Sequence, residues 1–334
     1  MKKEKRILII RPDRIGDVVL STPLPREIKK QFPDSYVSVL VKKYTKDIYV
    51  NNPHVDEILL LDDIPTVGFT NFWRKVKEIR KYKFTHALSL LPTERINYLM
   101  FFAGIKTRIG VGNKFYQFIT WTKSVSRNKY IPLRHEADYC MDLARKIGVV
   151  TENIVTEIYL TSDEKKRAAE VKKDYCPNGE KLIGIHTTHG FSTPNMKPGE
   201  YRRLIDILVK EKGIKIAVTD FEPGDEIKNI PGVLYLNKSG RDFFVDITAM
   251  DALVSSSTGP SHLAAALKVK TITLFCRIPV CSPGLWAPMG NEAHFIQPTQ
   301  EYCNAKCPGA KKCWFEDDGG INAEKVFETI KKQI

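Results

Sequence analysis

Asp17 stands in the stretch IIRPDRIGDVV, residues 9–19, with Arg11, Asp13 and Arg14 crowded into the same turn. A carboxylate flanked by two guanidinium groups, where an apolar run stops, suits a general base beside an anion-binding surface. Asp17 is also placed to cap a helix, since Asp accepts backbone N–H bonds and favours the positive helix end. A cap accounts for one Asp and leaves the other three charges unexplained.

A second stretch, SSSTGPSHLAAA (residues 255–266), follows another apolar run. Thr258 and Gly259 make a turn, Pro260 fits the first helical position, and His262 lies on the opening helical turn. N–H groups at such a helix start bind phosphate, and the hydroxyls of Ser257, Thr258 and Ser261 add donors. His262 reads either as a phosphate contact or as a satisfied structural histidine. The third stretch, IHTTHGFSTPNMKP (residues 185–198), gathers His186, Thr187, Thr188, His189, Ser192, Thr193, Asn195 and Lys197 after a strand. Thr and Lys at a strand end suit a diphosphate, and a solvated loop is the plainer reading, above all for His189. Neither G-x-x-x-x-G-K-[ST] nor G-x-G-x-x-G occurs, which argues against a P-loop NTPase and a standard dinucleotide enzyme.

These stretches need strands and helices to hold them. Short apolar runs at Ile7–Ile10, Tyr36–Val41, Glu57–Leu61 and Thr85–Leu91 read as buried parallel strands. Helical patterns cover Val18–Phe32, Phe69–Lys81, Glu94–Ala103 and Glu136–Ile147, the last closed by Gly148. Thr161 and Glu164 form a capping box opening a charged helix that ends near Tyr175. The alternation then restarts. Strands are expected at Leu182–Thr187, Ile214–Thr219, Val233–Leu236, Ala252–Ser256 and Thr271–Phe275. Helices are expected at Glu200–Lys212, Arg241–Met250 and Pro260–Leu267. Two such blocks predict an α/β chain of two doubly wound domains, 1–172 and 173–334, whose strand ends face a common cleft.

The 334 residues suit two domains; 43% are hydrophobic and 27% charged, a globular balance. No apolar run approaches the length of a membrane span, and the basic start MKKEKRILII lacks a signal-peptide cleavage pattern. A cytoplasmic protein is expected. The net charge of +13 points to a basic surface facing a phosphate-rich partner or an anionic membrane. No nucleic-acid-binding motif accompanies it. Seven cysteines, an odd number, and no export signal argue against disulfides. Cys303, Cys307 and Cys313 lack zinc-knuckle spacing and are expected to be free buried thiols.

The three stretches, in this order, resemble glycosyltransferase family 9, the bacterial lipopolysaccharide heptosyltransferases. The resemblance rests on ILIIRPDRIGDVVLSTP, NNPHVDEILLL, HALSLLPTERINYLMFFAGIKTRIGV, RHEADYCMDLARKIGV and STGPSHLAAALKVKTITLF. It implies the GT-B fold, with an acceptor-binding first domain and a donor-binding second domain, both Rossmann-like. It also implies an inverting, metal-independent transfer with no cofactor beyond the nucleotide-sugar substrate, typically ADP-heptose. Asp17 matches the family's base. Thr187 and Thr188 match a donor-binding strand end, and Thr258, Gly259 and His262 match the turn that holds the donor diphosphate. The expected partners are that donor and an anionic glycolipid such as the lipopolysaccharide core. The expected place is peripheral, at the inner face of the cytoplasmic membrane, with no nucleic acid involved.

Ser257 stands where some relatives carry Asp. Asn195 stands where the family usually has Lys, with Lys197 two residues on to supply the charge. TDFEPGDE, residues 219–226, replaces a glycine-rich turn and offers Glu222 to the donor. Arg11, Asp13, Arg14 and Arg95, with Lys42 and Lys43, are candidates for the acceptor side, and each could equally be surface charge. A nucleotide-sugar epimerase on the same fold and a catalytically silent glycan-binding protein are the alternative readings.

Overall fold

A computed structural model describes residues 4–62, 68–190, 193–310, 312–316 and 318–334. The chain forms two compact units, residues 1–159 and 160–334.

In the first unit the order is β1 (Arg6–Ile10), α1 (Ile15–Val19), α2 (Pro23–Gln31), β2 (Tyr36–Val41), β3 (Glu57–Leu60), α3 (Phe69–Lys81), β4 (His86–Ser89), α4 (Glu94–Phe102), β5 (Thr107–Val111), α5 (Phe115–Ile119), β6 (Lys123–Val125) and α6 (Glu136–Arg145). The strands pair in parallel in the order β3-β2-β1-β4-β5-β6. Leu8, Ile10, Leu40 and Ala87 from central strands pack with Val76, Ile79, Ile96 and Leu99 from α3 and α4 into one core. This is why β1 and β2 read as largely apolar runs, broken in β2 only by Ser38: helices cover both faces of such a sheet.

The expected helix Val18–Phe32 is two helices. Pro23 has no N–H to give the Val19 carbonyl, and the Thr22 hydroxyl donates to that oxygen instead, at 2.8 Å. The chain therefore turns between α1 and α2. Gly148, at φ +95°, takes the left-handed position beyond α6 as expected. Strands β5 and β6 are not among the expected strands; β5 (TRIGV) carries Thr, Arg and Gly and β6 (KSV) Lys and Ser, so neither shows a continuous apolar run.

The second unit runs α7 (Ser162–Tyr175), β7 (Lys181–His186), α8 (Pro198–Leu208), β8 (Ile214–Val218), β9 (Val233–Tyr235), α9 (Gly240–Thr248), β10 (Ala252–Ser256), α10 (Gly259–Ala266), β11 (Lys270–Leu274), α11 (Pro283–Trp286), β12 (Ala293–Ile296), α12 (Gln300–Lys306) and α13 (Ala323–Gln333). Its parallel sheet is ordered β12-β11-β10-β7-β8-β9. Counted from β7, this is the same order as in the first unit, the doubly wound Rossmann arrangement. The expected boundary at residue 172 falls inside α7. That helix packs on α9 and belongs wholly to the second unit, tied there by the Glu164–Arg241 ion pair.

Candidate functional site

Each doubly wound sheet has one switch point, where the strand order reverses and the carboxyl ends open a crevice. In the first unit it lies between β1 and β4, and the Arg11–Asp17 turn leaves β1 there. Arg14, not Asp17, is the N-cap of α1; Asp17 lies in the first turn of that helix, where its charge suits the positive end. The Asp17 carboxylate accepts from Arg11 Nη2 at 2.9 Å, with its side chain 22% exposed.

Arg11 was expected to grip an acceptor. It is buried, and its guanidinium is already occupied. Nε lies 3.0 Å from Asp13 Oδ1, and Nη2 also reaches Glu136 Oε1 at 3.3 Å. Glu136, at the start of α6, is buried and accepts both Nη groups of Arg127 at 3.0 and 2.9 Å. The cluster holds two guanidinium groups and three carboxylates, an excess of one negative charge. Burial works against the Arg11 charge, but Cys140, Asp13, Asp17 and Glu136 more than offset it and hold the guanidinium above its ordinary value. Burial pushes the Asp13 carboxyl up to about 6, with Arg11 pulling it down and Asp17 adding to the rise. Arg11 thus holds Asp17 beside the carboxyl end of β1. Asp13 is a member of the same cluster.

Arg14 is exposed, as is Arg95, whose guanidinium lies 5.2 Å from the centre of the Phe72 ring. Arg95 lines a cavity of about 320 Å³ with Pro12, Lys42, Phe72, Lys75 and Thr93. Its walls are largely apolar, with cationic side chains among them.

In the second unit the switch point lies between β7 and β10, and the other two stretches meet there. The Thr193 hydroxyl donates to the Ser257 carbonyl at 3.2 Å. Thr258 caps α10 by position only; its hydroxyl turns back to the Ser256 carbonyl, at 3.3 Å, instead of satisfying the helix's first N–H groups. His262 is buried and Gly259 is the first residue of α10. This helix start presents N–H groups and a positive dipole end, a chemistry suited to a diphosphate.

Thr187 and Thr188 do not offer their hydroxyls to a ligand. Both donate to buried Asp220, at 2.9 and 2.6 Å, and both backbone N–H groups do the same, at 3.0 and 2.8 Å. Asp220 ties the end of β7 to the end of β8, an arrangement that needs two segments 33 residues apart. Burial holds His186 below its ordinary value; its ring lies against the Thr219 and Thr188 hydroxyls at 3.0 and 3.3 Å. Asn195 is buried, donating to the Thr187 carbonyl and accepting from the Tyr201 hydroxyl, each at 2.7 Å. Lys197 is 53% exposed, at the N-cap of α8, and pairs with Glu316. Glu222 is exposed. Ser192 lies outside the described residues.

The cysteine-rich segment braces this loop. Cys313 is buried, and its carbonyl accepts from the Asn195 N–H at 3.3 Å; the Trp314 ring meets His189 edge-on at 5.3 Å. Cys307 is exposed and Cys303 partly so, which corrects the expectation of three buried thiols.

Sequence reasoning missed Glu136 and Asp220. Glu136 left one signal: it shares the buried side of α6 with Ala137, Cys140, Met141 and Ala144, where an unpaired carboxylate would not be tolerated.

Two Rossmann-type sheets in tandem, each with a polar constellation at its switch point, form the GT-B fold. The glycosyltransferase family 9 (heptosyltransferase) model matches residues 242–313. A Haemophilus influenzae protein proposed by its name to be a glycosyltransferase is 26% identical over 326 residues, covering 92% of this chain and 90% of the relative. Lipopolysaccharide heptosyltransferase 2 of Escherichia coli K12 is 21% identical over 351 residues, covering 97% of each. Among solved structures, the E. coli ADP-heptose lipopolysaccharide heptosyltransferase II superposes with a TM-score of 0.76 at 18% identity, covering 98% of both chains.

Proposed function

We propose that this glycosyltransferase moves a heptose from ADP-heptose onto an anionic glycolipid of the lipopolysaccharide-core type, with inversion and without a metal. It acts at the inner face of the cytoplasmic membrane. The observation that carries the reading is Asp17, in the first turn of α1 and held by the buried Arg11–Glu136–Arg127 cluster at its sheet's switch point.

The acceptor hydroxyl gives its proton to the Asp17 carboxylate while its oxygen attacks the anomeric carbon. The bond from that carbon to the diphosphate oxygen breaks on the opposite face, and ADP leaves with the electron pair. The start of α10, with Ser257, Thr258, Gly259 and His262, receives the diphosphate and stabilises its growing charge. Lys197 and Glu222, both exposed, are assigned to the donor side, Lys197 exchanging its partner Glu316 for the donor. Arg14, Arg95 and Lys42 hold acidic groups of the acceptor, whose bulk occupies the apolar-walled cavity.

Asp17→Ala tests the reading. Transfer from ADP-heptose, followed by mass spectrometry, should fall about 100- to 10,000-fold, the usual worth of a general base. Donor-induced thermal stabilisation should persist, because the donor is assigned to other residues. Unchanged turnover in the variant would rule out the assignment.

A further inference from the structure

Helix α5 is built inside out. Its inward side chains are polar: Gln117 is buried, accepts from the Lys114 N–H at 2.8 Å and donates to the Val111 carbonyl at 3.1 Å. Asn97 on α4 donates to the Tyr116 carbonyl at 3.1 Å and to the Thr120 hydroxyl at 2.6 Å. Outward it presents Phe115 (79% exposed), Phe118 (78%) and Ile119, followed by Trp121 (78%). A helix on a water-facing surface is expected the other way round.

Trp121 is held outward at a cost. Its φ of +49° lies in the left-handed region, which disfavours a bulky side chain by about 1–2 kcal/mol. Its ring lies 6.4 Å from Phe101, and from there aromatic contacts continue through Phe102, Trp73 and Phe69 of α4 and α3. Apolar surface on this scale marks an interaction site.

The charge pattern selects the partner. Residues 95–135 carry eight Lys or Arg and no Asp or Glu. Arg108 turns inward to the Ile105 and Thr120 carbonyls, and Arg127 and Arg134 pair with acids on α6. Lys114 and Lys123 flank α5 in the chain and are exposed, as is Lys106 just before β5. A second copy docked by two-fold symmetry would set these lysines near their own equivalents. An anionic surface would not.

We propose that the α5–Trp121 face is the membrane-docking surface: its aromatic side chains enter the interface of an anionic bilayer, and Lys106, Lys114 and Lys123 meet the lipid phosphates. The choice of a bilayer rests on the glycolipid-acceptor reading given above. Among the described residues no helix is long and apolar enough to cross a membrane.

The test uses the full chain in flotation with phosphatidylcholine vesicles, with and without phosphatidylglycerol. Wild type should float with the phosphatidylglycerol vesicles, with Trp emission shifted to the blue. The double substitution Phe118→Ser and Trp121→Ser should weaken binding about 100-fold. Turnover on a water-soluble acceptor saccharide should stay unchanged, and this also shows that the variant is folded. Lys114→Glu with Lys123→Glu should weaken binding to anionic vesicles selectively. Three results would overturn the proposal: equal flotation of wild type and double variant, no flotation of wild type, or a wild-type dimer that Trp121→Ser dissolves. Loss of transfer activity in a wild type that still floats would sink the catalytic reading and leave this one standing.

Discussion

Replacing Asp13 by Asn tests the charge arithmetic of the Arg11 cluster without touching the proposed base. The Asp13 carboxyl rises from an ordinary 3.8 to about 6, through burial first and then through Asp17, against the pull of Arg11. An acid raised in the folded state binds more protons folded than unfolded between these two values. Stability is therefore full below pH 3.8 and is lost as pH climbs through about 6. At about 1.4 kcal/mol per unit, the rise amounts to about 3 kcal/mol at neutral pH. Asn cannot ionise and so escapes this loss. Arg11 keeps Asp17 and Glu136 as partners, so removing Asp13 does not strand a buried cation. Equilibrium urea unfolding of wild type and Asp13→Asn, stepped from about pH 4 to pH 8, measures the difference, and other titrating groups cancel between the two proteins. The variant's stability relative to wild type should rise across this range by about 2 kcal/mol, part of the full effect being already present at pH 4. Transfer should persist at pH 7, because Asp17 remains. Parallel stability curves would refute the reasoning, and loss of transfer would move the base from Asp17 to Asp13.

Asp220→Ala removes the acceptor of two hydroxyls and two backbone N–H groups at the ends of β7 and β8. It should destabilise the protein by about 3–5 kcal/mol and raise the donor KM more than it lowers kcat, as read by urea unfolding and steady-state kinetics. Gly184→Ala on β7 would drive a Cβ into Met250 Sδ and to 2.8 Å from Leu253 Cδ1. A loss of about 1–3 kcal/mol is expected, measured as a shift in urea midpoint.

Local chemistry was readable from the chain wherever it was self-contained. The Thr161–Glu164 capping box forms as expected, Thr161 Oγ1 accepting from the Glu164 N–H at 3.1 Å and Glu164 Oε2 from the Thr161 N–H at 2.8 Å. Largely apolar runs located β1, β2 and β10, and the alternation gave the doubly wound class. What escaped depends on partners far along the chain. Glu136 meets Arg11 across 125 residues, and nothing near either residue announces the other. The same holds for Thr187 and Thr188, which look like open phosphate donors until Asp220 is folded against them. Arg11 was misread for a related reason: spacing shows that charges are close, but not which of them faces water.

Asn195 carries a consequence for how a ligand meets this protein. Its amide is bonded at both ends by the chain's own interior, to Thr187 and Tyr201, and its backbone N–H to Cys313. The conformational entropy of fixing these positions is therefore surrendered during folding, not at ligand capture. A lysine installed there would displace that lattice of bonds and bury an ammonium ion with no counter-charge among the three groups Asn195 now joins. A positive charge for a ligand at this point cannot simply be installed by substitution; it has to come from somewhere else on the surface.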